Sequence, residues 1–315
     1  MSAEAQREDV VDLPLRSRWP TVEPGAILRG RFELIAEIGR GGLSVVYKAR
    51  DLVAARAGFA NAFVALKIIV EDAETDQDIL ALMYREARRL RDLQHPNIVR
   101  VYDMDRDGNV HFMVMEHLEG QTLAKILREA GEHRLELAQI ERIVADISAA
   151  LRYAHANNII HADLKPGNVF IERSGRVKLI DFNIAYPVAR VSRLGEEDTV
   201  RILGRLGAVT PIYASPQRLM GAEPSEGDDI YSLGVITYLM LTGERPFGAA
   251  NALEAQANGI SSALPGGLSK RQRAALHNAL SLDDRHRTAS AEHFSTQFTK
   301  PLIIALMDTI RKLPG

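Results

Sequence analysis

Beyond residue 26 the chain alternates between two hydrophobic periods. Phe32–Ile38, Ser44–Arg50 and Phe63–Val70 are short β-rich runs that predict strands. Alternation along the third sets Ala65 and Lys67 on one face and Val64 and Leu66 on the other. From about Asp76 to Asp92 the period changes. Ile79, Met83, Glu86 and Leu90 step by four, three and four, which predicts a helix with Glu86 on its apolar stripe. His95-Pro-Asn-Ile-Val99 ends that helix and begins a strand, and His111–Glu116 is another.

The second half reads as helical. Ile140, Ile143, Val144, Ile147 and Leu151 mark a long amphipathic helix, and Asp229-Ile-Tyr-Ser-Leu-Gly234 opens a nearly continuous apolar helix through Leu241. Leu302, Ile303, Leu306 and Ile310 place an amphipathic helix in 299–315. Residues 1–26 carry Pro14, Pro20 and Pro24 with scattered charges and no apolar period, the pattern of a flexible extension. The stretch from Asp181 to Gln217 is too long for a plain connection and reads as a functional loop, while residues 54–62 read as an extended turn.

Composition narrows the picture. In 315 residues, 46% of them hydrophobic, there is ample material for a core in one large domain or two lobes. Lys plus Arg total 39 and Asp plus Glu 41, a balance that gives no sign of a nucleic-acid partner. Cysteine is absent, so any metal must sit on oxygen or histidine. The start MSAEAQREDVVD lacks the basic-then-apolar pattern of an export signal. The longest apolar runs, Leu233–Leu241 and Leu302–Met307, fall short of the roughly 18 residues of a membrane span, and a cytoplasmic location is expected.

The densest chemistry lies in His161-Ala-Asp-Leu-Lys-Pro-Gly-Asn168 and Val177-Lys-Leu-Ile-Asp181-Phe-Asn183. Asp163 can accept a proton from an attacking hydroxyl, and Lys165 can neutralise the phosphoryl group under attack. Asn168 and Asp181 offer the hard oxygens that Mg²⁺ prefers. Upstream, Gly39-Arg-Gly41-Gly42-Leu-Ser44-Val-Val46 joins two strands, and a backbone without Cβ atoms can bring its N–H groups close to phosphate. Lys67, flanked by Val64, Leu66, Ile68 and Ile69, needs a buried partner, which Glu86 supplies.

These stretches resemble the H-R-D-x-K-x-x-N, D-F-G, G-x-G-x-x-G-x-V and V-A-I-K motifs of the protein kinase family, in its eukaryotic-like serine/threonine branch and with wording closest to bacterial members. Thr210-Pro-Ile-Tyr213-Ala-Ser-Pro216-Gln217 is similar to the end of that family's activation segment, and the likeness covers about residues 30–298. It implies an α+β, two-lobed fold: a small lobe of antiparallel sheet and one helix over about 27–116, and a large, mainly helical lobe over about 121–298. It also implies transfer of the γ-phosphate of ATP to serine or threonine of a protein substrate, with Mg²⁺ (or Mn²⁺) held by Asn168 and Asp181. Asp163, Lys165, Lys67 and Glu86 are then the catalytic set. Gly39, Gly41, Gly42 and Ser44 cover the phosphates, and Glu116 and Leu118 offer backbone groups to adenine. Met115 stands behind the base, with Val46 and Ala65 above it and Phe170 below. His161 and His155 read as structural, and Asp229 as a cap on the catalytic loop. A regulatory partner is compatible with all of this.

Four positions depart from the pattern. Ala162 replaces the arginine that commonly receives a phosphorylated loop, so activity is expected not to require that modification. Asn183 replaces the glycine of D-F-G, Ser44 a glycine of the nucleotide loop, and Gln217 the glutamate of A-P-E. The last change would leave Arg285 with a neutral amide and loosen that segment. The departures keep a scaffold without transfer activity open as a second reading, and a small-molecule kinase as a third.

Overall fold

The computed structural model describes residues 22–40, 44–69, 84, 87–131, 135–182 and 210–299. Their strands form two antiparallel sheets. The first has six strands in the order β1-β2-β3-β4-β6-β5, with β1 Ile27–Leu28, β2 Phe32–Arg40, β3 Ser44–Asp51, β4 Phe63–Ile69, β5 Val101–Asp107 and β6 Val110–Glu116. The second joins β7 Gly120–Thr122, β8 Val169–Glu172 and β9 Val177–Leu179 on the large lobe.

The alternation in β4 divides the small lobe into two packing layers, because successive side chains leave opposite faces of a strand. Val64, Leu66 and Ile68 join Phe32, Leu34 and Phe112 on one face. Ala65 faces the other way, into the core shared with Met113, Met115, Leu90 and the large lobe. A helix whose described part is residue 84 and residues 87–92 covers that inner face.

Two parts of the small lobe differ from the sequence expectation. The expected turn at 54–62 begins as a helix, Leu52–Arg56. Asp51 explains it: one carboxylate oxygen caps the amides of Val53 and Ala54, and Arg31 grips the carboxylate at 2.6 Å. The described end of the expected extension, Val22–Ala26, is attached to the sheet. Leu34 N donates to Ala26 O, Gly25 N to Leu34 O, and the Tyr47 hydroxyl to Val22 O.

The large lobe is built on two helices. Leu137–Ala156 buries the predicted stripe of Ile140, Ile143, Val144, Ile147 and Leu151. Glu226–Thr242 is buried almost all round, as its nearly continuous apolar run from Ile230 to Leu241 requires. Its Gly234 lies against the helix Lys270–Ala279; a Cβ there would stand 3.0 Å from that of Ala279. Among the described residues no helix is long and apolar enough to cross a membrane. The expected helix at 299–315 lies, past Thr299, outside the described residues.

The chain enters the large lobe at Gly120, where β7 meets β8. A Cβ at this position would lie 2.1 Å from the Ile171 carbonyl oxygen, so only glycine permits the pairing. Gly120→Ala is therefore expected to cost about 1–3 kcal/mol, the usual penalty of overpacking, and to lower the melting temperature by several degrees in a calorimetric scan. An unchanged melting temperature would show that these strands part freely.

Candidate active site

The loop from His161 to Asn168 is fixed at its start by a single carboxylate. Asp229, 1% exposed near the start of the central helix, accepts from His161 N and Ala162 N, each at 2.9 Å, and bonds His155 Nε2 at 2.8 Å. His155 is thus structural, and Asp229 does cap the loop. Ala162 has φ 62°, a left-handed conformation that non-glycine residues adopt only under constraint. The two amides held by Asp229 supply that constraint.

His161 is fully buried and tilts against the Phe182 ring at 4.5 Å. Its Nε2 lies 3.1 Å from the Ile180 carbonyl, and donation there leaves the lone pair on Nδ1. Burial pushes its pKa down, which suits a neutral packing residue.

Above this support, four side chains converge. Lys165 Nζ donates to Asp163 Oδ2 at 2.6 Å and to Thr210 Oγ1 at 2.9 Å. The Thr210 hydroxyl donates in turn to Asp163 Oδ1 at 3.1 Å. Asn168 Nδ2 donates to the Asp163 carbonyl at 2.8 Å and to Oδ2 at 3.2 Å. Every polar group in this cluster orients another, so the Asp163 carboxylate is held from three sides. The amide nitrogen of Asn168 is committed to Asp163, which leaves its carbonyl oxygen as the end suited to a cation.

Across the cleft, Lys67 Nζ bonds Asp181 Oδ1 at 2.8 Å. Asp181 also has a left-handed φ, 56°. The Lys67 ammonium holds its carboxyl below the usual carboxylate range, against the opposing push of burial. Asn168 and Asp181 together offer oxygen donors only, the chemistry expected of a Mg²⁺ site completed by phosphate and water. Glu86, the expected partner of Lys67, lies outside the described residues, as do Gly41, Gly42 and Asn183.

Strand register links several of the remaining nucleotide-site candidates. Val46 pairs in register with Lys67 and with Gly39, and Ala65 pairs with Met115. Ser44 begins β3 opposite Ile69. Of the nucleotide-site candidates, Lys67 and Met115 line one cavity, with Leu90, Met113, Asp181 and Phe182 among its other walls. Leu118 packs against the same core, and Phe170 is half-buried on β8. The Glu116 amide is spent on Arg100 O at 2.9 Å, leaving its carbonyl as the backbone group to offer a base.

Sequence reasoning missed what the Glu116 side chain does. Its Oε1 accepts from Lys178 Nζ at 2.6 Å and from Arg100 N at 2.7 Å, tying the connection between the lobes to β9. Lys178 stands among apolar neighbours four residues before Phe182, and that was the available signal: a lysine there needs a partner.

The segment after Thr210 also differs from expectation. Gln217 faces Arg287, not Arg285: Arg287 Nη2 donates to Gln217 Oε1 at 2.9 Å. Arg285 is exposed and pairs with Asp283 at 2.7 Å. Gln217 is not loose, because its Nε2 also donates to Leu282 O at 3.1 Å.

Comparison with known proteins bears on this geometry. Residues 32–299 match the family model described as the protein kinase domain. The serine/threonine-protein kinase PrkC of Bacillus subtilis is 33% identical over 229 residues, covering 73% of this chain and 33% of PrkC. The serine/threonine-protein kinase PknB of Mycobacterium leprae is 36% identical over 224 residues, covering 70% of this chain and 34% of PknB. The chain thus spans about a third of the length of these relatives. Among solved structures, the apo form of PpkA-294 superposes with a TM-score of 0.73 at 20% identity, covering 88% of this chain and 99% of that one. The PknI kinase domain of Mycobacterium tuberculosis gives 0.64 at 20% identity, with 89% and 98% covered. These two show the shared fold; the family model and the bacterial sequences show more, and the chain belongs to the protein kinase domain family, with bacterial serine/threonine kinases among its relatives.

Proposed function

We propose that this domain transfers the γ-phosphate of MgATP to serine or threonine hydroxyls of a protein substrate, and that it does so without phosphorylation of its own loop. The observation that carries the reading is the closed set of bonds among Asp163, Lys165, Asn168 and Thr210. In this reading Asp163 orients the incoming hydroxyl and takes its proton, a role for which its carboxylate is already immobilised. Lys165 keeps a positive charge beside the transferred group. Lys67 anchors the α- and β-phosphates, with Glu86 as its proposed partner, and Gly39, Gly41, Gly42 and Ser44 are the residues that would cover the phosphates.

Adenine stacks between Val46 and Ala65 on one side and Phe170 on the other, against the Glu116 carbonyl and the Leu118 backbone, with Met115 behind it. Asn168 and Asp181 would hold Mg²⁺ (or Mn²⁺), which when bound supplies charge neutralisation on the phosphates. ATP of this kind is an intracellular substrate, and we place the reaction in the cytoplasm.

Independence from loop phosphorylation is supported by position 162, where a methyl group stands in place of a cationic receptor for phosphate. Thr210 reaches Asp163 and Lys165 directly, so the end of the segment is docked by short-range hydrogen bonds instead.

Three outcomes test this. Incubation with MgATP and a basic protein should yield phosphoserine or phosphothreonine by mass spectrometry, and Asp163→Ala should reduce the rate by about 10²- to 10⁴-fold; nucleotide binding with no transfer would favour a scaffold. A Ser192→Ala, Thr199→Ala double variant should keep wild-type turnover, whereas its inactivity would return control to the loop.

The third concerns acid. Because Lys67 depresses the carboxyl of Asp181, the stability this pair contributes is complete above the ordinary Asp value of about 4 and is lost as pH falls through the lower folded value. Lys67→Met removes the cause of the depression, so its melting temperature should fall less than that of the wild type on acidification below pH of about 4. Parallel melting curves against pH would mean that Lys67 does not govern Asp181.

A further inference from the structure

The guanidinium of Arg287 is an almost fully enclosed charge, its side chain 2% exposed. Its hydrogen bonds all go to neutral acceptors: Gly227 O, Ser281 O and the Gln217 amide oxygen. A buried cation satisfied only by neutral oxygens still lacks a counter-charge. Among the described residues one carboxylate lies within 4.0 Å of it, Asp228, whose Oδ1 is 4.0 Å from Arg287 Nη1. Burial pulls the Arg287 pKa down and the Asp228 charge opposes that pull.

Asp228 has a second set of bonds. Its Oδ1 accepts the Ser215 hydroxyl at 2.5 Å, and its Oδ2 accepts from Ser225 N and Ser225 Oγ. Ser215 belongs to the stretch that begins at Thr210, five residues earlier, and Ser215 Oγ also accepts from Arg218 N.

We infer that Asp228 is the positioning residue of the substrate-side segment: it supplies the counter-charge that the amide at 217 cannot, and through Ser215 it keeps Thr210 against Asp163. The inference rests on reading Asp163 as the base. A helix-capping role alone would account for the Ser225 bonds, but not for a carboxylate oxygen facing both Ser215 and Arg287.

The test is a relocation of charge. Asp228→Asn should raise KM for a protein substrate and lower kcat/KM by about 10- to 100-fold, the effect of a misplaced segment, with KM for ATP nearly unchanged. It should also lower the melting temperature. Adding Gln217→Glu, which returns a carboxylate to an atom already bonded to Arg287, should restore most of both losses. Ser215→Ala should lower kcat/KM for the protein substrate while leaving Arg287 neutralised. Failure of the second substitution to recover the melting temperature, or wild-type kinetics in Asp228→Asn, overturns the inference. If Asp228→Asn alone does not fold, a folded double variant supports the relocation and an unfolded one opposes it. A protein that never transfers phosphate would remove the assignment of Asp163, yet the recovery of melting temperature would still report on Asp228.

Discussion

A loop that must present a carboxylate to solvent, while its backbone bends through a left-handed residue, needs an anchor that does not itself move. Asp229 provides it. The helix Glu226–Thr242 is buried on nearly every side, so a carboxylate near its start inherits the rigidity of the large-lobe core. Two loop amides and one imidazole satisfy that charge, which would otherwise be costly to bury. The strain at Ala162 is thereby maintained, and the short sequence to Asn168 is delivered with its side chains already converging. The rest of the large lobe can be read as the housing for that helix.

The small lobe contributes one long-range contact of the same importance. Lys67 crosses the cleft to Asp181, joining β4 to a carboxylate two residues past the end of β9. Its geometry follows from alternation: Ala65 and Lys67 share the cleft face because Val64, Leu66 and Ile68 are needed on the other side of the sheet. A one-residue slip of β4 would exchange these roles and remove the cation from the site. The chemistry therefore depends on the apolar residues that never touch it.

Much of this was legible in the sequence, for a physical reason. Strand and helix periods are imposed by burial, so the runs at Phe32, Ser44 and Phe63 and the stripe from Ile140 to Leu151 declared themselves. Asp163, Lys165 and Asn168 also stood out, because those residue types lie close together in sequence and suit one chemistry. What remained hidden involved bonds between side chains distant in sequence. Lys178 to Glu116 spans 62 positions and Arg287 to Gln217 spans 70, and no local pattern chooses Arg287 over Arg285. The helix at Leu52 was missed because it is short and exposed, held by the Asp51 cap and not by an apolar stripe. The nucleotide loop at 41–43 and the helix position of Glu86 fall outside the described residues, so their part in the site stands as proposed.

The lobes are stitched together where residues 97–99 meet β9. Val99 N donates to Leu179 O, Leu179 N donates to Asn97 O, and Glu116 clasps Lys178 nearby. Ile98 and Leu179 form a parallel bridge there. A seam of this kind resists sliding, because shifting one lobe along the other would break the Val99, Leu179 and Glu116 bonds together and leave buried polar groups unpaired.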